Sequence, residues 1–246
     1  MNRFFYRQKQ REGQTVVLCG DDAHHAIRVL RLKTGELVAL CDEKGACHQA
    51  RIDKIVTDRV VCTLQEALPC TEARTKIDLA FGLLKGEKTE FVLQKATELG
   101  VHGFLPFESE RTVVKLARKE EARLKRWQKI IRSAAAQAHR SLIPGISAPQ
   151  KFTELLSVFP HYDLVLLFWE EEKGISLATI MQKGEKPASI LLITGPEGGL
   201  SATEAAAARV AGAKVVTLGP RILRAETAAI TTVALSLYQV GDLGGL

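Results

Sequence analysis

Residues 188–240, ASILLITGPEGGLSATEAAAARVAGAKVVTLGPRILRAETAAITTVALSLYQV, decide how the rest of the chain is read. The apolar run from Ile190 to Ile193 is short enough for a buried strand. Gly195-Pro196-Glu197-Gly198-Gly199 follows at once. Three glycines with a proline neither prolong a strand nor start an ordinary helix, so they predict a tight loop whose backbone can approach a ligand. Ser201 stands where an N-cap belongs, with Glu204 three residues on, and this capping-box spacing predicts a helix over 202–211. Lys214 to Leu218 reads as the next strand and Gly219-Pro220 as a second loop, and Arg221 to Thr227 leads into a last helix over 225–240. In a parallel α/β sheet both loops leave the carboxyl ends of their strands, where ligands bind. A small-molecule site is therefore expected between them. The chain has no Gly-x-x-x-x-Gly-Lys-Ser/Thr and no Gly-x-Gly-x-x-Gly between a strand and a helix, which argues against a nucleotide-phosphate enzyme.

The pairing of GPEGGLS (195–201) with LGPRILRAETA (218–228) resembles the SPOUT class of RNA methyltransferases. More narrowly it resembles the RsmE family, which methylates N3 of a uridine in 16S ribosomal RNA of the small subunit. The resemblance implies a deep trefoil knot in the carboxyl-terminal domain, S-adenosylmethionine held in the knot loops, and a homodimer. Knots are too rare for spacing alone to suggest one.

Composition sets wider bounds. The 246 residues allow one or two domains, and 46% hydrophobic with 25% charged residues is ordinary for a globular protein. The net charge of +6 suits an anionic partner. Residues 1–11 carry Arg3, Arg7, Lys9 and Arg11 with no acid, and residues 111–132 carry nine cations against Glu120 and Glu121. Both patches look like phosphate contacts, although the second also fits a solvated helix face. The amino terminus, MNRFFYRQKQ, is too polar for a signal peptide, and no run reaches the length of a membrane span. Cys19, Cys41, Cys47, Cys62 and Cys70 match no zinc spacing even with His48 beside Cys47, so no metal is expected. Reduced thiols in β-structure and a cytoplasmic setting are the expectation.

Residues 1–72 read as a small β-rich domain. Val16 to Cys19, Glu36 to Cys41, Cys47 to Val56 and Arg59 to Gln65 are strand-like, with hairpin turns at Glu43-Lys44-Gly45 and Thr57-Asp58. Asp21 or Asp22 can cap a short helix holding His24 and His25, which read as packed structural histidines as readily as functional ones. HHAIRVLRLKTGE (24–36) resembles the PUA-like RNA-binding domain of the same family. Arg28 and Arg31, three apart, are expected on one helix face and, with Arg3 and Arg7, are candidate phosphate contacts. Leu68 to Arg74 reads as a linker, and residues 73–246 as the methyltransferase domain. There the strands expected over 77–84, 101–107 and 163–169 alternate with helices over 86–99, 117–139 and 176–182, which implies a mostly parallel sheet covered on both faces. Phe91, Val92, Ala96 and Leu99 are expected on the buried face of the first of these helices. The last helix, 225–240, is apolar on nearly every side. It must be covered either within one subunit or, as the resemblance implies, by a second one.

Further motifs carry the resemblance. Lys85-Gly86 with Gln94 to Val101 resembles the family's K…QKATELGV signature, and Glu108 to Thr112 its SER[ST] loop. Gln137 and Arg140 fall in its A-E-Q-x-x-R pattern, where Ala136 replaces the glutamate. The resemblance makes Arg111, Gln137 and Arg140 further RNA-binding candidates. It implies cofactor contacts from the backbone of Thr194, Gly195, Glu197, Gly198 and Gly199 in the first loop, and of Leu218, Gly219, Ile222, Leu223 and Arg224 in the second. Ile222 and Leu223 would flank the adenine.

Methyl transfer from a sulfonium is an in-line displacement that depends chiefly on positioning. Uridine N3 must lose a weakly acidic proton, so a base or an oxyanion-stabilising cation helps. Arg224 is the candidate for stabilising charge or orienting RNA, and Glu226 for orienting Arg224 or accepting the proton. Glu226 equally fits a first-turn acid favoured by the helix dipole. A methyltransferase acting on transfer RNA or another ribosomal site, and a non-catalytic RNA-binding assembly protein, remain as alternative readings.

Overall fold

The structure is a computed structural model that describes residues 1–113, 120–181 and 186–244. The chain divides into two units, one built from Met1–Glu72 with Ala135–Ile143 and the other from Ala73–Ala134 with Pro144–Leu246.

The first unit is a curled, barrel-like sheet. Its strands are β1 (Arg3–Phe5), β2 (Arg11–Glu12), β3 (Thr15–Leu18), β4 (Leu37–Cys41), β5 (Cys47–Val56) and β6 (Arg59–Leu68), in the order β1-β4-β5-β6-β3-β2. Neighbours run antiparallel except β1 with β4. The long β5–β6 ladder breaks register between His48 and Ala50 and again between Ile52 and Lys54, and such bulges bend a sheet. Alternate residues of the curled strands fill a core that includes Phe4, Tyr6, Val16, Leu18, Leu40 and Ile52. Burial, and then the Asp53 charge, push the Cys62 thiol up to about 12. Both hairpin turns form. In the first, the Lys44 and Ala46 amides donate to Asp42 Oδ1 at 2.8 and 2.9 Å.

Three expectations need correction in this unit. Gly20, at φ 62°, is the N-cap of α1 (Asp21–His24), so the two aspartates lie in the first turn instead of capping it. After α1 a π-helical turn runs only over His25–Val29, and Arg31 has φ 54°. Arg28 and Arg31 therefore share no helix face. Cys41 and Cys47 are not free thiols. Their strands place them directly opposite each other, and they form a disulfide, while Cys19, Cys62 and Cys70 are free. His25 packs edge-on against Phe4 with ring centroids 6.3 Å apart, a structural contact.

The second unit is a fully parallel sheet. It contains β7 (Lys76–Gly82), β8 (Gly103–Glu108), β9 (Gly145–Ile146), β10 (Gln150–Lys151), β11 (Leu164–Phe168), β12 (Ser189–Thr194) and β13 (Lys214–Val216). The order is β10-β8-β7-β12-β11-β13, with β9 pairing β8. Strand β12 sits between β7 and β11, which is why its SILLIT run is apolar without alternation. The helices are α2 (Lys88–Leu99), α3 (Glu120–Gln137), α4 (Phe152–Leu155), α5 (Leu177–Met181), α6 (Ala202–Val210) and α7 (Ala225–Val240). The Ser201–Glu204 capping box forms as expected, and the Glu204 amide donates to Ser201 Oγ at 3.2 Å. The expected helix start at Ala117, with Lys115, Arg118 and Lys119, lies outside the described residues, as does Gln182.

One helix face differs from expectation, and another is covered only in part within one chain. Helix α2 buries Thr89, Val92, Leu93, Ala96 and Thr97 and leaves Phe91 46% exposed. Helix α7 is covered on the side of Ala229, Val233 and Leu237, yet Leu235 is 42% and Tyr238 59% exposed, so it is not enclosed all round. At the amino ends of the strands, Asp78 accepts a 2.6 Å bond from the Tyr162 hydroxyl and lies 3.1 Å from His102 Nδ1. Burial and this bond raise the Tyr162 pKa. Among the described residues no helix is long and apolar enough to cross a membrane.

Candidate functional site

The carboxyl ends of the parallel strands are open. A cavity of about 420 Å³ lies there, within the usual range for ligand pockets. Its walls are the two loops after β12 and β13, the end of β11 with the residues that follow it, and the start of α2.

The glycines of the first loop allow the chain to fold back on itself. Gly199 has φ 70°, and its amide donates to the Pro196 carbonyl at 2.9 Å to close a turn. A Cβ at Gly199 would fall 2.0 Å from Glu170 Oε1, and one at Gly82 only 2.5 Å from the Pro196 ring. At Gly198 it would meet the Arg111 carbonyl oxygen at 2.9 Å, and at Gly195 the Gly199–Leu200 backbone at 3.2 Å. Valine at Gly195 or Gly199 therefore disturbs the loop as well as anything bound to it. The second loop differs. Gly219 has φ 107° and a Cβ there would meet nothing within 4 Å, so this backbone borders open space.

Every residue expected at the cofactor site lines the cavity except Gly198, which packs beneath Arg111. Thr194 is 2% exposed, and its buried Oγ1 has no hydrogen-bond partner among the described residues. A buried hydroxyl without a partner is costly, and this one belongs to a residue of the cavity wall, where a polar ligand group could satisfy it after a small shift. Ile222 lines the cavity while remaining 88% exposed, so it stands at the rim.

The catalytic candidates separate. Arg224 lines the cavity at the N-cap of α7, makes no side-chain cap, and has no acidic partner among the described residues. Glu226, in the first turn of α7, lies 3.3 Å from Lys88 Nζ instead of beside Arg224. Lys88 lines the cavity and also lies 3.6 Å from Glu197, whose Oε1 accepts the Lys85 amide at 3.0 Å. One ammonium thus ties the start of α2 to the first loop and to the start of α7.

Of the RNA-binding candidates, only Arg111 belongs to this unit, and its guanidinium donates to the Gly198 carbonyl at 3.4 Å. Arg7, Arg28, Arg31 and Gln137 are exposed on the first unit. Arg3 donates to the His139 carbonyl, and its burial lowers its pKa against the opposing pull of Glu72. Arg140 is 4% exposed and ion-paired with Glu72, so it braces the unit's interior and presents no free surface charge.

Sequence reading missed Lys88, Phe168, Trp169 and Glu170, although all four line the cavity. Trp169 Nε1 donates to the Leu200 carbonyl at 3.2 Å, and Arg209 lies 5.6 Å over its ring while bonding Glu172 at 2.7 Å. The Gly174 amide, aided by Arg209, holds the Glu172 carboxyl below its usual range. This clasp fixes the wall that carries Glu170. The one signal for Phe168, Trp169 and Glu170 was position at the carboxyl end of a buried parallel strand, and Lys88 opens the helix that follows another. Among the described residues no three of His, Cys, Asp and Glu gather as metal ligands would.

Comparison with known proteins agrees with this layout. Residues 71–237 match an RNA methyltransferase domain family, and residues 18–65 an RNA methyltransferase PUA domain family. The chain is 34% identical to ribosomal RNA small subunit methyltransferase E of Bacillus subtilis, covering 100% of this chain and 99% of that one. It is 35% identical to the Synechocystis protein of the same name, over 90% of this chain and 72% of that one. The crystal structure of the Neisseria gonorrhoeae protein of that name, bound to S-adenosyl methionine, superposes with a TM-score of 0.88 at 32% identity, covering 99% of each chain.

Proposed function

Because the chain belongs to the RNA methyltransferase family that includes the ribosomal RNA small subunit methyltransferase E proteins, we propose that it methylates N3 of one uridine in 16S ribosomal RNA, using S-adenosylmethionine. The observation that carries this reading is the arrangement of Arg224. Arg224, without an acidic partner among the described residues, lines the same cavity as Thr194, whose buried hydroxyl is unpartnered.

The residues fit the cofactor. Backbone groups of both loops and the Thr194 hydroxyl would hold an adenosyl group, with Leu223 and Ile222 against the base. Bound there, the cofactor supplies an electrophilic methyl group on a sulfonium centre. The chain's own work is to orient the uracil, exclude water and manage one proton. Arg224 stabilises the negative charge that develops on a uracil oxygen as the N3 proton leaves. Glu226, paired with Lys88 outside the cavity lining, is the candidate to accept that proton, while Glu170 and Glu197 are the carboxylates on the cavity wall itself. The knotted chain path implied by the resemblance belongs to the same reading. So does a cytoplasmic location, where ribosomal subunits are made.

The test is to incubate the protein with labelled S-adenosylmethionine and small ribosomal subunits lacking native modifications, then to identify the methylated nucleoside by mass spectrometry. 3-Methyluridine at one site is expected. Methylation of transfer RNA instead would replace the substrate. Arg224→Ala is expected to lower kcat about a hundredfold, in the range for loss of one charge-stabilising donor. Cofactor affinity by calorimetry should change little. Turnover near wild type would remove Arg224 from the mechanism, and the same result for Glu226→Gln would remove the carboxylate.

The exposed apolar side chains of α7, Leu235 and Tyr238, fit a homodimer seam. Leu235→Glu is expected to convert a dimer into a monomer by light scattering. A wild-type monomer at micromolar concentration, or a dimeric variant, would sink that assembly.

A further inference from the structure

A second cavity, of about 360 Å³, opens beside the start of α2. Lys88 lines the first cavity and Glu90 the second. Residues two apart on a helix project to opposite sides, so the two cavities flank the first turn of α2. Their separation is about one helix diameter, roughly 10–12 Å.

The walls of this cavity are cationic and aromatic. Arg123 and Arg126, one turn apart on α3, both line it, and Trp127, 3% exposed, packs beneath. Glu90 is the only carboxylate among the described lining residues, and Arg126 Nη2 occupies it at 2.7 Å. Arg123 lies 6.0 Å over the Trp127 ring and has no carboxylate partner among the described residues. Its charge is left for a ligand. Lys125 on the exposed side of α3 is paired with Glu121 at 2.7 Å, so among the described residues the unpaired charge at this end of α3 is that of Arg123. A guanidinium held over an indole and aimed into a cavity suits a phosphate oxygen, since its fork donates to two oxygens at once.

We propose that this cavity receives a phosphodiester of the same RNA strand, a few nucleotides from the methylated base, with Arg123 and Arg126 contacting its oxygens. At about 3.4 Å per stacked step, the gap between the cavities corresponds to about three nucleotides. The inference rests on the methyltransferase reading and deepens it. The cofactor cavity positions the target base, and the second cavity sets the register of the flanking strand. Phosphate contacts position a nucleic acid without reading its sequence.

The test compares wild type with Arg123→Gln, Arg126→Gln and the double variant. Affinity for the unmodified small subunit is measured from low to moderate salt, alongside cofactor affinity by calorimetry. Each lost phosphate contact is expected to reduce the slope of log affinity against log salt by about 0.7 for a single strand. The double variant should lose about 1.4 and bind about tenfold more weakly, with cofactor affinity unchanged. Arg123→Lys with Arg126→Lys keeps both charges and should restore most of the slope, which repair of a merely structural role would not do. An unchanged slope in the double variant, with wild-type methylation intact, overturns the subsite and leaves the reaction standing. A wild type that forms no 3-methyluridine, with a slope that still falls in the double variant, overturns the reaction and keeps the RNA subsite.

Discussion

Gly199→Val is expected to weaken S-adenosylmethionine binding at least about a thousandfold, or ~4 kcal/mol. Two independent effects combine. Gly199 has φ 70°, where a β-branched residue is strained by about 1–3 kcal/mol. A Cβ at this position would also lie 2.0 Å from Glu170 Oε1, and both residues line the cavity. Either the loop opens or Glu170 swings away, and both movements remove cavity wall. Gly219→Ala is the control. It carries positive-φ strain, but its Cβ meets nothing within 4 Å, so a much smaller loss is expected. Calorimetry on both variants, with thermal melts to follow the fold, separates the cases. Affinity of Gly199→Val within tenfold of wild type would mean that this loop does not shape the site.

Glu72→Ala is expected to cost the first unit about 3–5 kcal/mol, the range for removing one partner of a buried ion pair. Its carboxylate pairs with Arg140, and it accepts the Ser141 and Leu142 amides at 2.7 and 3.1 Å. The two side chains are 14% and 5% exposed, so solvent screening offers little relief. Alanine takes the Glu72 carboxylate away from a buried guanidinium and removes the acceptor of two amides. Glu72→Gln keeps an acceptor for the amides and should cost less. Urea unfolding monitored on the first unit decides it. A loss below about 1 kcal/mol for Glu72→Ala would show that water replaces the carboxylate freely.

The same pair shows where sequence reading stopped. The parallel sheet was legible because β7, β11 and β12 are short apolar runs separated by helical periodicity, and α6 because Ser201 and Glu204 stand at capping-box spacing. The cavity lies between the two glycine–proline loops because parallel strands deliver both loops to one edge. What a sequence hides is pairing across distance. Glu72 and Arg140 lie 68 positions apart, and Arg140 read as a surface cation because its partner was invisible. Phe91 read as core because helical periodicity marks a face without saying which neighbour covers it. Cys41 and Cys47 read as separate thiols, although once they are opposed across a hairpin their sulfurs meet. Lys88 at the start of α2 and Glu170 just after β11 lie far in sequence from the two motifs, and only the strand order brings them to the cavity.

The first unit's composition from Met1–Glu72 and Ala135–Ile143 has a consequence for synthesis on the ribosome. Its sheet strands emerge early, yet the segment that neutralises Glu72 is translated later. At about 5–20 residues per second, the 71 residues between positions 72 and 143 take about 4–14 s. Through that interval the nascent barrel holds an acidic group meant for an arginine still inside the exit tunnel, while the strands of the second unit begin to appear. The first-made part of the protein is thus finished by a segment of the later-made part, and a pause or truncation before residue 143 leaves it incomplete.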